Sequence, residues 1–82
     1  MHTDNGFTIY DTFDELLNAD LDWVYEDNQY YYIQAKSDFV YSGTAYRVDK
    51  RTKCVERMHF LKMINGIKNA EKTDPKTIKG AS

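Results

Sequence analysis

The stretch WVYEDNQYYYI, residues 23–33, constrains the fold more than any other part of this chain. Trp, Val, Tyr and Ile favour extended, half-buried backbone, and the polar break between them leaves room only for a tight reversal. Residues 22–26 and 29–35 therefore read as antiparallel strands, with Asp27-Asn28 at the turn. That turn pairs Glu26 with Gln29, Tyr25 with Tyr30, Val24 with Tyr31 and Trp23 with Tyr32. Side chains alternate across a sheet, so Trp23, Tyr25, Tyr30 and Tyr32 share one face while Val24, Tyr31, Ile33 and Ala35 share the other. Both faces are largely apolar, and the rest of the chain must cover at least one of them.

The flanking segments supply the cover. In YDTFDELLNADLD, Thr12 is placed to cap a short helix and Glu15 follows at capping-box spacing. Phe13, Leu16 and Leu17 fall on one helical face, and Asp14 and Glu15 suit the positive end of the helix dipole. Residues 36–43 read as a connection. TAYRVDKRTKCVERM, residues 44–58, reads as a second hairpin with loop Lys50 to Lys53. Asp49 is placed to bond the loop amides, Val48 faces Val55, Arg47 faces Glu56 and Tyr46 faces Arg57. Lys53 stands at the last loop position, where φ is often positive and glycine is usual. MHFLKMINGIKNAEK, residues 58–72, reads as a closing helix with the apolar stripe Phe60, Leu61, Met63, Ile64 and Ile67. Asn65-Gly66 offers an earlier end to it. The expected fold is α+β: a single domain over residues 1–72, ordered α-β-β-β-β-α, with an antiparallel meander and helices packed on one face. Residues 73–82 read as a flexible polar tail.

The V-D-x-x-T run Val48 to Thr52 resembles hairpins of small bacterial proteins, toxin-immunity proteins among them. The likeness covers this hairpin alone, lacks the glycine that follows the threonine in those runs, and transfers no functional residue. It implies a bacterial or phage setting.

With 82 residues the chain has room for one core, and a domain of this size buries only about 60% of its unfolded surface. Cys54 is the only cysteine, so no internal disulfide forms, and a reducing, cytoplasmic location is expected. The first residues lack a basic start and a long apolar run, so neither a signal peptide nor a membrane partner is expected. The formal charge of −2 hides an asymmetry: residues 1–41 hold nine acids and one base, residues 42–82 ten bases and four acids. Such a split suits electrostatic contact with a partner, pairing within the fold, or head-to-tail self-association.

Groups for chemistry are sparse. His2 and His59 form no metal-ligand pattern with Cys54 or the acids, and no cofactor motif is present. Cys54 with His59 is the one candidate nucleophile–base pair, and Asp20, Asp22, Glu26 and Asp27 are the candidate carboxylates. Two surfaces remain. An acidic–aromatic one, Trp23, Tyr25, Glu26, Asp27, Tyr30 and Tyr32, suits a protein partner with a basic surface. A basic one, Arg47, Lys50, Arg51, Lys53 and Arg57 with the later lysines, suits nucleic acid, with Tyr41 or Tyr46 for stacking. The expected function is non-catalytic protein binding of the inhibitor, immunity or phage-accessory kind. Nucleic-acid binding is the alternative.

Overall fold

The computed structural model describes residues 2–4, 7–36 and 43–80. In chain order the elements are β1 (His2–Asp4), β2 (Phe7–Ile9), α1 (Phe13–Leu17), β3 (Leu21–Glu26), β4 (Tyr30–Ala35), β5 (Thr44–Asp49), β6 (Val55–His59), a 3-10 turn (Phe60–Met63), α2 (Ile64–Lys68), β7 (Glu71–Thr73) and α3 (Pro75–Gly80). β1 and β2 form a separate hairpin, and the other strands form a five-stranded antiparallel sheet in the order β6-β5-β4-β3-β7. The expected α+β meander is its centre, with β7 added beyond β3. Of the connection expected at 36–43, residues 37–42 lie outside the described residues, Tyr41 with them.

Local chemistry sets the turns. The Asp27 carboxylate accepts from the amides of Gln29 at 2.8 Å and Tyr30 at 2.7 Å. The reversal therefore sits one residue later than expected, at Asn28-Gln29, and Tyr25 pairs with Tyr32, Val24 with Ile33 and Glu26 with Tyr31. Each partner moves by two positions, so the face assignment survives; a shift of one would have inverted it. A bulge between Leu21 and Trp23 then leaves Asp22 exposed and brings Leu21 into the core with Val24.

The second hairpin has the expected register, Val48 opposite Val55, Arg47 opposite Glu56 and Tyr46 opposite Arg57. Asp49 Oδ1 accepts from the amides of Arg51 and Thr52. Lys53 adopts φ +63°, in the left-handed region that favours glycine.

α1 forms as its residues dictate. The Thr12 hydroxyl accepts from the Glu15 amide, and Phe13, Leu16 and Leu17 are buried. They pack with Leu21, Val24, Ile33, Tyr46, Val48 and Ile78 on one face of the sheet. The opposite face carries Tyr32, Ala45, Trp23, Tyr25, Tyr30 and Met58, and the segment after β6 covers it with Met63, Ile67 and Ala70. The helices are thus shared between both faces rather than packed on one. Two apolar sheet faces demand two covers, and the chain has just enough residues to build them.

Two other expectations give way. The closing helix breaks into strand, 3-10 turn, α2 and strand, and Leu61, placed in its apolar stripe, is 66% exposed. Residues 73–80 are not a tail. Thr73 pairs with Val24, Asp74 Oδ1 accepts from the Lys76 amide, Pro75 opens α3, and Ile78 is 1% exposed in the first core. The Lys79 ammonium donates to the Ala19 carbonyl, tying α3 to the end of α1.

Ile78→Ala removes a fully buried side chain and is expected to cost about 2–5 kcal/mol in urea unfolding. A polar tail would lose nothing there. At Lys53, glycine relieves roughly 1 kcal/mol of left-handed strain and forfeits roughly 0.5 kcal/mol of cation–π contact. The ammonium lies 5.3 Å from the Phe13 ring centre. The expected order of melting temperatures is Lys53→Gly above wild type above Lys53→Ala.

Candidate functional site

The structure redistributes the residues of both anticipated surfaces. Tyr32 is buried, and its hydroxyl donates to Asp27 Oδ2 at 2.8 Å. Trp23 is half-buried, edge-on to Tyr25 at 5.6 Å and to Phe60 at 5.7 Å between ring centres. Tyr30 lies beside Tyr32 and beneath the Arg47 guanidinium, 4.4 Å from its ring centre. These rings form one contiguous cluster, but it is the core under α2 more than an open face. Glu26 projects to the opposite face, beside Tyr31, where the Lys50 ammonium stands 3.6 Å from its carboxylate.

The basic hairpin is divided in the same way. Arg47 is paired with Glu56 on the α2 side of the sheet. Lys50 sits 4.9 Å from the Tyr31 ring centre, and Lys53 lies over Phe13 and Tyr31, on the α1 side. Arg51 is exposed in the loop, and Arg57 is exposed on β6. Together they do not make one face.

The candidate nucleophile pair also separates. Cys54 precedes β6 and His59 ends it, so the strand holds them roughly 16 Å apart. Asp20 and Asp22 lie at the far end of β3 from Glu26 and Asp27. Among the described residues, no three His, Cys, Asp or Glu side chains converge on a metal position. No described helix is long and apolar enough to cross a membrane.

What the fold does assemble is a polar cleft at the hairpin end of the sheet. It holds about 260 Å³ and is lined by Glu26, Asp27, Asn28, Lys50, Asn69 and Glu71. A second groove, lined by Asn28, Gln29, Asp49, Lys50 and Arg51, adjoins it across Asn28 and Lys50. In the cleft Glu26 and Glu71 are directly opposite across β3 and β7. Like charges in that relation repel, and among the described residues Lys50 is the cation in the lining.

Asp27 anchors the cleft floor. Burial alone would raise its pKa, but the amides of Tyr30 and Gln29 and the Tyr32 hydroxyl outweigh it and hold the carboxyl below its ordinary value. The same bond acts on Tyr32, whose hydroxyl is pushed up to about 12 by burial first and by Asp27 second.

Asn69 and Glu71 were not anticipated as site residues, because both lay in a segment read as helix. Asp74-Pro75 was the missed signal: a cap followed by a first-turn proline starts a new helix and forces a break before it. No family model, no curated protein and no solved structure matches the chain.

The paired shifts predict a pH response of definite sign. Asp27 is depressed, so its stabilisation is present above about pH 4 and is lost as pH falls through its folded value. Tyr32 is raised from 10.0 to about 12, so its stabilisation is present below pH 10 and is lost as pH rises toward 12. Absorbance titration is expected to show a tyrosine phase above pH 10 accompanied by unfolding. In Tyr32→Phe that phase loses amplitude, and stability at neutral pH falls because Asp27 loses a partner.

Proposed function

We propose that the chain is a non-catalytic binding module that takes a basic side chain of a protein partner into the cleft formed by Glu26, Asp27, Asn28, Asn69 and Glu71. The observation that carries this reading is the Glu26–Glu71 pair. Two carboxylates face each other across neighbouring strands with Lys50 beside only one of them. The arrangement costs the free protein roughly 0.2–1 kcal/mol, and a lysine or arginine from outside would relieve it. The neighbouring groove along Asn28 and Arg51 widens the contact beyond one side chain. Inhibitor, immunity and phage-accessory proteins act by binding of this kind, without chemistry of their own.

Nucleic-acid binding draws less support. Arg47, Lys50 and Lys53 are already engaged with carboxylates or rings on opposite sides of the sheet. A phosphate backbone requires several cations presented together.

Glu71→Lys separates the readings. It turns repulsion into attraction, so the free protein is expected to melt a few degrees higher, at about 4–8 °C per kcal/mol. Labelled oligo-arginine and oligo-lysine peptides serve as probes in anisotropy at about 50 mM and 200 mM salt, with mixed-sequence DNA as the comparison. Wild type is expected to bind the peptides, and Glu71→Lys to lose them. Equal peptide binding by both proteins, or DNA binding that collapses with salt, would overturn the proposal.

A further inference from the structure

The cover over the Tyr32 face begins at a residue outside the usual capping set of Ser, Thr, Asp and Asn. His59 ends β6 and caps the 3-10 turn, with Nδ1 accepting from the Leu61 amide at 3.2 Å. A ring nitrogen accepts only when it carries no proton, so this bond requires neutral imidazole with its hydrogen on Nε2. The other side of the ring rests on Gly43, at φ +61°, where a Cβ would come within 3.2 Å of Nε2. The Gly43 carbonyl accepts from the Phe60 amide at 2.7 Å, closing the bend from strand to turn.

Met63 is the buried residue of the 3-10 turn, while α2 has no fully buried side chain and no side-chain cap. Among the described residues, the cap on Leu61 is the side-chain hydrogen bond that holds the first turn, beside the Phe60 amide on Gly43 and the Phe60 ring on Trp23. We propose that His59 is a proton-operated latch: neutral, it holds the cover against the Trp23–Tyr32 face, and protonated, it releases the first turn. An imidazolium would set an N–H against the Leu61 N–H, so the ring must turn away and the amide goes to water. Among the described residues the charged neighbours along the chain are Arg57 and Lys62, while Thr44 of β5 and Gly43 just before it, which face the ring, do not titrate. This inference does not depend on what enters the acidic cleft.

The molecule carries its own reporter. Trp23, the sole tryptophan, packs edge-on against Phe60, the first residue of the turn. The one other imidazole, His2, is bonded to Asp11 beside the N-terminal hairpin and can be removed separately. The experiment follows Trp23 emission and Leu61 amide exchange of the full chain across about pH 5–8, where imidazoles titrate. Wild type, His2→Gln and His59→Asn are compared, since an asparagine oxygen accepts at every pH in that range.

Wild type and His2→Gln are expected to share one transition, with Leu61 exchange about fivefold to tenfold faster at the acid end after correction for intrinsic rates. His59→Asn is expected to show none. A transition that persists in His59→Asn, or a flat wild-type profile, overturns the latch. Nitrogen chemical shifts of the wild-type His59 ring at neutral pH test it without any variant: the Nε2–H tautomer is required, and Nδ1–H refutes it.

Discussion

The bond from the Tyr32 hydroxyl to Asp27 stands where three parts of the molecule meet. Asp27 is already committed to the amides of Gln29 and Tyr30, so its carboxylate shapes the β3–β4 turn. Its second oxygen takes the Tyr32 hydroxyl, which fixes that ring within the sheet. Gly66 of α2 then lies directly over the same ring: a Cβ there would fall 2.8 Å from the hydroxyl oxygen. Turn, sheet and cover meet at one phenol. A glycine in the middle of a short helix, a costly choice on propensity alone, follows from that close approach.

The same arrangement explains how a thin chain covers a sheet apolar on both sides. α1 and α3 close one face around Leu16, Val24, Ile33 and Ile78. A 3-10 turn and α2 close the other over Tyr32, Ala45 and Met63. Neither cover is long enough to be stable alone, since isolated helices of one or two turns do not survive in water. Each is held by packing, by the Lys79 bond to Ala19 and by the His59 cap. Under the second cover Tyr32 is buried while Trp23, Tyr25 and Tyr30 are only half-buried.

Signals confined to a few residues were legible in the sequence. Thr12 with Glu15 marked the start of α1, and the Val48–Val55 register followed from an aspartate at the loop start and matched pairs behind it. The alternation in residues 23–35 assigned the two faces correctly even though the turn lay one residue further on. What failed depended on long-range contact. Ile78 sits among polar residues, and only its position after a capped proline turn carries it to the core. Glu71 reads as helical until β3 offers it an edge to pair with. The acidic residues of the cleft come from chain segments more than forty positions apart, and no local pattern joins Glu26 to Glu71. The rings of the anticipated aromatic surface do cluster, but Met63, Ile67 and Ala70 pack against them.

Part of the charge asymmetry of the sequence is met by short-range contacts within the fold. Lys50 reaches Glu26, Lys53 lies on the rings of Phe13 and Tyr31, and Lys79 serves a carbonyl at the end of acidic α1. Basic residues of the second half thus dock onto the acidic and aromatic elements of the first, which is how opposite charge on two halves of a chain assists its folding without any partner. Glu71 breaks the pattern. It is an acid contributed by the basic half, and β7 sets it against an acid of the first half. Had neutralisation within the fold been the sole constraint, a lysine at that position would have completed an ion pair with Glu26 at no structural cost, since the site is on an exposed edge strand. Two like charges are thus set opposite each other where the chain forms a polar cleft, and that coincidence is the physical ground for looking there for a partner.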